Sequence, residues 1–390
     1  MTTWSTKKLG EVADIVMGQS PPSSSYNERG EGLPFFQGKA EFGEIYPTPV
    51  KYCSSPSRIA EANDVLMSVR APVGNINIAK EKSCVGRGLG ALRAKKNILN
   101  QMFLFYFMKK NENNWSRLST GSTFSAIKGS SLKNFEIPLP PIAIQKQIVE
   151  RLDKIAEAQK LNDDLIRKAD ELFQSLLHKE LNPVRDSKHS NGVNPAGKDW
   201  KVKKLGDVAE TSSGGTPLKE KAEYYENGTI PWLRSGEVSQ GLIYKSELFI
   251  TEKGLKESSA KIFPINTVLV AMYGATTGQI GLLKFEASTN QAICGIFPNS
   301  KFVPEYLYYF LKTKTNYLIK ISAGGAQPNI SQAVIRNLKI PLPPLQTQKQ
   351  IVAKLSAVQS YKKELLEQKI KLKELFDSAL HRAMSSGLPQ

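Results

Sequence analysis

Four constellations in this 390-residue chain have residue types that could support chemistry, and each fails on spacing. Gly32 to Lys39 resembles a phosphate loop, but it has one residue too many between its glycines and ends in Ala40, where a magnesium-binding hydroxyl belongs. Gly86, Gly88 and Gly90 form G-x-G-x-G, one residue short of a dinucleotide fingerprint and without an acidic partner at the usual distance, so they read as a tight turn. His178 and His381 close two long helical stretches, where a partly cationic side chain suits the helix dipole, and His189 lies in a turn-rich segment. No pair of them has metal-ligand spacing. Asn182-Pro183-Val184 and Asn194-Pro195-Ala196 lack the Asn/Asp-Pro-Pro-aromatic tetrad expected of a DNA amino-methyltransferase. The expectation is a chain that binds and does not catalyse, with no metal or cofactor of its own.

What it would bind follows from charge. Lys and Arg number 53 against 36 Asp and Glu, a net charge of +17 that favours a polyanion through phosphate neutralisation and counterion release. The excess is concentrated: residues 1–141 carry 18 basic and 11 acidic side chains, and residues 182–344 carry 20 and 13. Cys53, Cys84 and Cys294 are odd in number and widely spaced, which argues against a disulfide framework and for reduced core thiols. The start MTTWSTKKLG lacks a signal-peptide core, and the longest apolar run, Met102 to Met108, is too short to span a bilayer, so a cytoplasmic location without a membrane partner is expected.

The elements that must position any binding residues occur twice. KKLGEVA at Lys7 to Ala13 recurs as KKLGDVA at Lys203 to Ala209, each three residues after Trp4 or Trp200. FLFYFM (Phe103 to Met108) matches YLYYFL (Tyr306 to Leu311), IPLPP (Ile137 to Pro141) matches Ile340 to Pro344, and QKQIV (Gln145 to Val149) matches Gln348 to Val352. ELFQSLLH from Glu171 matches ELFDSALH from Glu374. The offset rises from 196 to 203, so the second copy carries about seven extra residues somewhere after Pro34 and its counterpart Pro231, in a stretch where the copies otherwise look unrelated. A constant frame with divergent loops suits one scaffold displaying two different surfaces. Val65 to Val69 and Thr267 to Met272 read as strands, and the two aromatic runs as buried helices.

Each copy ends in a strand entering Pro-Leu-Pro-Pro, after which a helix is favoured. Ile148, Leu152, Ile155, Gln159, Asn162, Ile166, Ala169, Phe173 and Leu176 then alternate steps of four and three, the coiled-coil spacing. Adding 203 gives Ile351, Leu355, Val358, Lys362, Leu365, Lys369, Leu372, Phe376 and Ala379. The two stripes can bury each other, with Gln159, Asn162, Lys362 and Lys369 as polar interruptions. The expected organisation is a globular domain over 1–141, a helix over 142–181, a linker over 182–199, a second domain over 200–344 and a second helix over 345–390.

The opening W-x-x-KKLG-[ED]-VA, the junction I-P-L-P-P-x-x-x-Q-K-Q-I-V and the helix after it, twice in order, resemble type I restriction-modification specificity subunits over nearly the whole chain. The resemblance implies an α+β fold: two mixed α/β target-recognition domains in pseudo-two-fold arrangement, joined by two long antiparallel coiled-coil helices. It further implies that each domain reads one half of a bipartite site on double-stranded DNA. The partners implied are two modification (methyltransferase) subunits carrying S-adenosylmethionine and ATP-dependent restriction subunits, with none of that chemistry on this chain. The helix from Ile144 to Leu181 would rise roughly 55 Å, about 16 base pairs, and so set the spacer. A self-contained DNA-modifying enzyme and a stand-alone DNA-binding regulator or coiled-coil adaptor are the rival classes.

Direct readout needs polar side chains on groove-facing loops. The candidates in the first copy are Gln37, Lys39, Arg70, Arg87, Thr123 and Phe124. In the second they are Arg234, Tyr273, Thr276, Thr277, Gln291, Gln327 and Asn329.

Overall fold

In the computed structural model of the chain, residues 4–115, 126–181, 200–322 and 329–385 are described. The expected linker 182–199 lies outside them. The chain forms two compact units, residues 1–164 with 367–390, and residues 165–366. Among the described residues no helix is long and apolar enough to cross a membrane.

In the first unit a four-stranded antiparallel sheet runs Ala13–Met17, Leu89–Ala94, Val65–Ser68, Ile76–Ile78. A mixed five-stranded sheet orders Tyr26–Asn27, Lys51–Cys53, Leu33–Phe36, Ser83–Val85 and Ile59–Ala60, with Leu33–Phe36 parallel to Ser83–Val85. The run FLFYFM lies in the helix Gln101–Lys110, whose start is capped by the Asn100 side chain accepting the N–H groups of Met102 and Phe103. Phe103 through Met108 are all buried, because one core joins them to the sheet residues Val65, Met67, Ile76 and Ile78 and to the long-helix residues Ile148, Leu152, Leu380 and Met384. An apolar surface right round this short helix is thereby used on every side.

The second unit repeats this plan. One sheet orders Thr211–Ser213, Ile293–Ile296, Val268–Ala271, Ile280–Leu283 and Leu242–Ile243, and the other Phe249–Ile250, Ile230–Leu233, Ala287–Thr289 and Ile262–Phe263. The helix Pro304–Ser322 takes the central place, in one core with Val268, Val270, Phe173, Leu177, Ile351 and Leu355.

The two frame motifs of each copy meet in space. The strand Thr6–Lys8 pairs with Glu136–Pro138 (Lys7 opposite Ile137), and Lys201–Lys204 pairs with Lys339–Leu342 (Lys203 opposite Ile340). The KKLG and IPLPP signatures are the two halves of a clasp that closes each copy.

The long helices are Ile142–Leu181 and Leu345–Ser385. In the first unit Gln159 Nε2 donates to Leu372 O at 3.2 Å, and Lys369 pairs with Asp163 at 2.8 Å. In the second, Lys362 pairs with Asp170 at 2.6 Å and Lys354 with Glu180 at 2.9 Å. Within each unit partner numbers fall as residue numbers rise, so the segments run antiparallel. Ile148, Leu152, Ile155, Ala169, Phe173, Ile351, Leu355 and Leu365 are buried, while Ile166, Leu176, Val358, Leu372, Phe376 and Ala379 are half-buried. Toward each C-terminus the buried face moves one residue on, to Leu177 and Leu181 and to Leu380, Ala383 and Met384. A straight helix drifts about 20° per heptad from a 3.5-residue repeat, and here the drift turns it onto a globular core.

Candidate nucleic-acid interface

The site is built where strands of both sheets end. Gln37 follows the strand Leu33–Phe36, Arg70 follows Val65–Ser68, and Arg87 sits in the turn between Ser83–Val85 and Leu89–Ala94. Backbone bonds stitch these ends side by side. Gly86 N donates to Phe36 O at 2.8 Å, Val69 N to Gly88 O at 2.9 Å and Ile127 N to Val69 O at 2.9 Å, and Arg70 bridges to Ala126. Gln37, Arg87, Arg70 and Ala126 therefore form a row across four neighbouring segments. Glycine is needed at position 88, since a Cβ there would fall 2.0 Å from Gln37 O. The G-x-G-x-G run is the turn that brings Arg87 against Gln37.

The second unit makes the same bonds between equivalent residues. Asn290 N donates to Leu233 O at 2.9 Å, Met272 N to Ala292 O at 2.7 Å and Ile330 N to Met272 O at 2.9 Å, and Tyr273 bridges to Asn329. Its row is Arg234, Gln291, Tyr273 and Asn329. Gln37 thus corresponds to Arg234, Arg87 to Gln291, Arg70 to Tyr273 and Ala126 to Asn329. All of these except the half-buried Ala126 are exposed.

The middle segments, unrelated to the eye in sequence, are equivalent in strand pairing: Leu33 opposite Cys53 matches Ile230 opposite Ile250, and Ile59 opposite Cys84 matches Ile262 opposite Ser288. Six of the second copy's extra residues therefore fall between Ile250 and Ile262, where they form the helical turn Glu252–Lys256 capped by Thr251. One more lies between Tyr273 and Gly278, whose N–H bonds Ala271 O as that of Gly74 bonds Ser68 O. Gly74 and Gly278 both have positive φ, 98° and 81°, which fixes the turn and favours glycine at both places.

Among the described residues the guanidiniums of Arg70, Arg87 and Arg234 have no ion-pair partner, so their donors face solvent. Burial raises the Tyr26 phenol above its ordinary value, while its bond to Ser20 and the nearby Arg87 charge pull it back. Lys39 is exposed in the short helix Lys39–Glu41 beside the row. Thr276 donates to Ser235 O at 3.1 Å, and the buried Thr277 donates to Gly274 O at 2.6 Å, so these two threonines hold the turn behind Tyr273. Thr123, Phe124 and Gln327 lie outside the described residues. Sequence reasoning missed Ser20 and Thr216, which the 196 offset relates: Ser20 Oγ accepts the N–H of Arg87 at 3.4 Å, and the Thr216 hydroxyl bonds the Gln291 amide. Among the described residues no group of His, Cys, Asp and Glu could hold a metal ion.

The family model of the type I restriction modification DNA specificity domain matches residues 1–169 and again 197–374. The chain is 44% identical over 179 residues to the putative type I restriction enzyme MjaX specificity subunit of Methanocaldococcus jannaschii, a match covering 45% of this chain and 42% of that one. It thus spans less than half the length of that relative. To the MjaVIII specificity subunit of the same organism it is 25% identical over 396 residues, covering 98% of this chain and 91% of the relative. Its fold is similar to the crystal structure of a type I restriction-modification system S subunit from M. genitalium, with a TM-score of 0.61 and 17% identity over 99% of this chain and 97% of the other.

Proposed function

Because this chain belongs to the type I restriction modification DNA specificity family, we propose that it is the sequence-reading, non-catalytic subunit of a DNA-modifying assembly. Its ligand is double-stranded DNA with two unlike short elements, one read by each copy of the frame. The observation that carries this is the pair of rows, equivalent in backbone bonding and different in every side chain. A protein reading a single palindromic element would repeat its reading residues along with its frame. The net charge of +17 supplies the sequence-independent attraction to phosphate that brings such rows to the duplex.

In this reading the long helices set the distance between the two elements and dock two modification subunits, one on each copy of the repeated frame. Those subunits carry S-adenosylmethionine and transfer the methyl group, and restriction subunits carry ATP. The test is purification of the tagged full-length chain from its host with the subunits it retains, followed by selection from a random duplex library and by methyl-transfer assay. A bipartite enriched target and methyl transfer only in the presence of a co-purifying subunit are expected. Methyl transfer by the isolated chain would overturn the non-catalytic role. Contiguous target selection without any co-purifying methyltransferase would favour a stand-alone regulator.

A further inference from the structure

The first two positions of each row carry the same two side-chain types in exchanged order. Gln37 and Arg87 in the first copy stand where Arg234 and Gln291 stand in the second. Segments bonded as in a sheet lie about 4.8 Å apart, so four of them span roughly 15 Å and the first three about 10 Å, comparable to the roughly 12 Å width of a major groove. The glycines at 86 and 88 keep that row flush by letting its turn press against Gln37. Arginine recognises the O6 and N7 acceptors of guanine with two donors, and a glutamine amide recognises N6 and N7 of adenine.

Resting on the DNA-reading role above, we propose that these rows are the base-reading edges and that the Gln/Arg exchange makes the half-sites unlike. The first copy places adenine at the position read by Gln37 and guanine at that read by Arg87. The second copy places guanine under Arg234 and adenine under Gln291. Arg70 and Tyr273 add a further difference at the third position. Arginine there takes a second guanine, whereas the tyrosine ring offers an apolar face to a thymine methyl and a hydroxyl to either strand. Thr216, bonded to the Gln291 amide, acts as a positioning residue for it, and Ser20 does so for the Arg87 backbone.

The test uses the full-length chain with the subunits it retains, selecting from a random duplex library read by sequencing. Arg234→Ala first identifies which enriched element belongs to the second copy. Gln37→Arg with Arg87→Gln then gives the first row the second row's order. The expected result is a first element whose specified guanine and adenine change places while the second element stays as it was. Arg87→Ala alone, at an exposed position, should relax guanine preference at one base pair roughly 5- to 150-fold, with the thermal midpoint unchanged. A first element unchanged by both the double variant and Arg87→Ala overturns the assignment of the row. Failure of the unaltered chain to enrich any sequence overturns the DNA-reading role itself, and with it this inference.

Discussion

Gln145 accepts the backbone N–H of Asn100 at 2.8 Å, and in the second copy Gln348 accepts that of Val303 at the same distance. Both glutamines are fully buried, and their amides also donate to carbonyls on either side of the domain-helix junction: Ile98 and Pro140 in one copy, Lys301 and Pro343 in the other. The first Gln of QKQIV is thus a bolt fixing the long helix to the loop before the aromatic helix.

Replacing it with leucine strands one N–H and two carbonyls in the interior, each unmade bond costing about 1–3 kcal/mol. Gln145→Leu is expected to destabilise the first unit by roughly 3 kcal/mol or more, and Gln348→Leu the second. Hydrogen exchange resolved along the chain checks this. Equal loss of protection in both units from either substitution would contradict it.

The end of the C-terminal helix belongs to the core of the first unit, through Leu380, Ala383 and Met384, with Phe376 edge-on to Tyr106 at 5.9 Å. Leu380→Ala is expected to cost about 2–5 kcal/mol, and removal of residues 376–390 to expose the face of the aromatic helix and cause aggregation. Fluorescence-monitored urea unfolding and light scattering provide the readouts, with the second unit keeping its own midpoint.

Lys39 is exposed beside the first row, where it suits a phosphate and not a base. Lys39→Ala should weaken binding alike for all duplexes and flatten the slope of log K against log salt by roughly 0.9. A changed sequence preference would move Lys39 into the reading edge.

Burial pushes the Cys294 thiol up to about 12 and, with help from the neighbouring Cys53, the Cys84 thiol to about 11, from an ordinary value of 9.0. The folded state therefore holds these protons more tightly than the unfolded chain. Their contribution is fully present below pH 9 and falls as pH rises from there toward 11 and 12. Thermal midpoints between pH 8 and 10.5 should decline, and less so in Cys294→Ala, despite its lower starting stability. Native thiols should resist alkylation across the same range.

The sequence alone established the duplication, the two aromatic core helices and the long helices with their apolar stripes. These signals are local or periodic: a repeat is visible at a fixed offset, and a helix writes its buried face into every third or fourth residue. It also picked out Gln37, Arg70, Arg87, Arg234, Tyr273, Gln291 and Asn329 as polar residues in turns, but as an unordered set. Their order was decided by tertiary structure. Gln37 and Arg87 are 50 residues apart, and strands only three to six residues long, with offsets that slip from 197 to 204 between the copies, hide the correspondence with Arg234 and Gln291. The register of Phe36 with Val85 and of Leu233 with Thr289, continued by the hydrogen bonds Gly86 to Phe36 and Asn290 to Leu233, reveals it. Strand pairing is a long-range contact whose partner is written in no one segment, since the same short apolar run can satisfy its backbone against several neighbours, and the packed core selects among them.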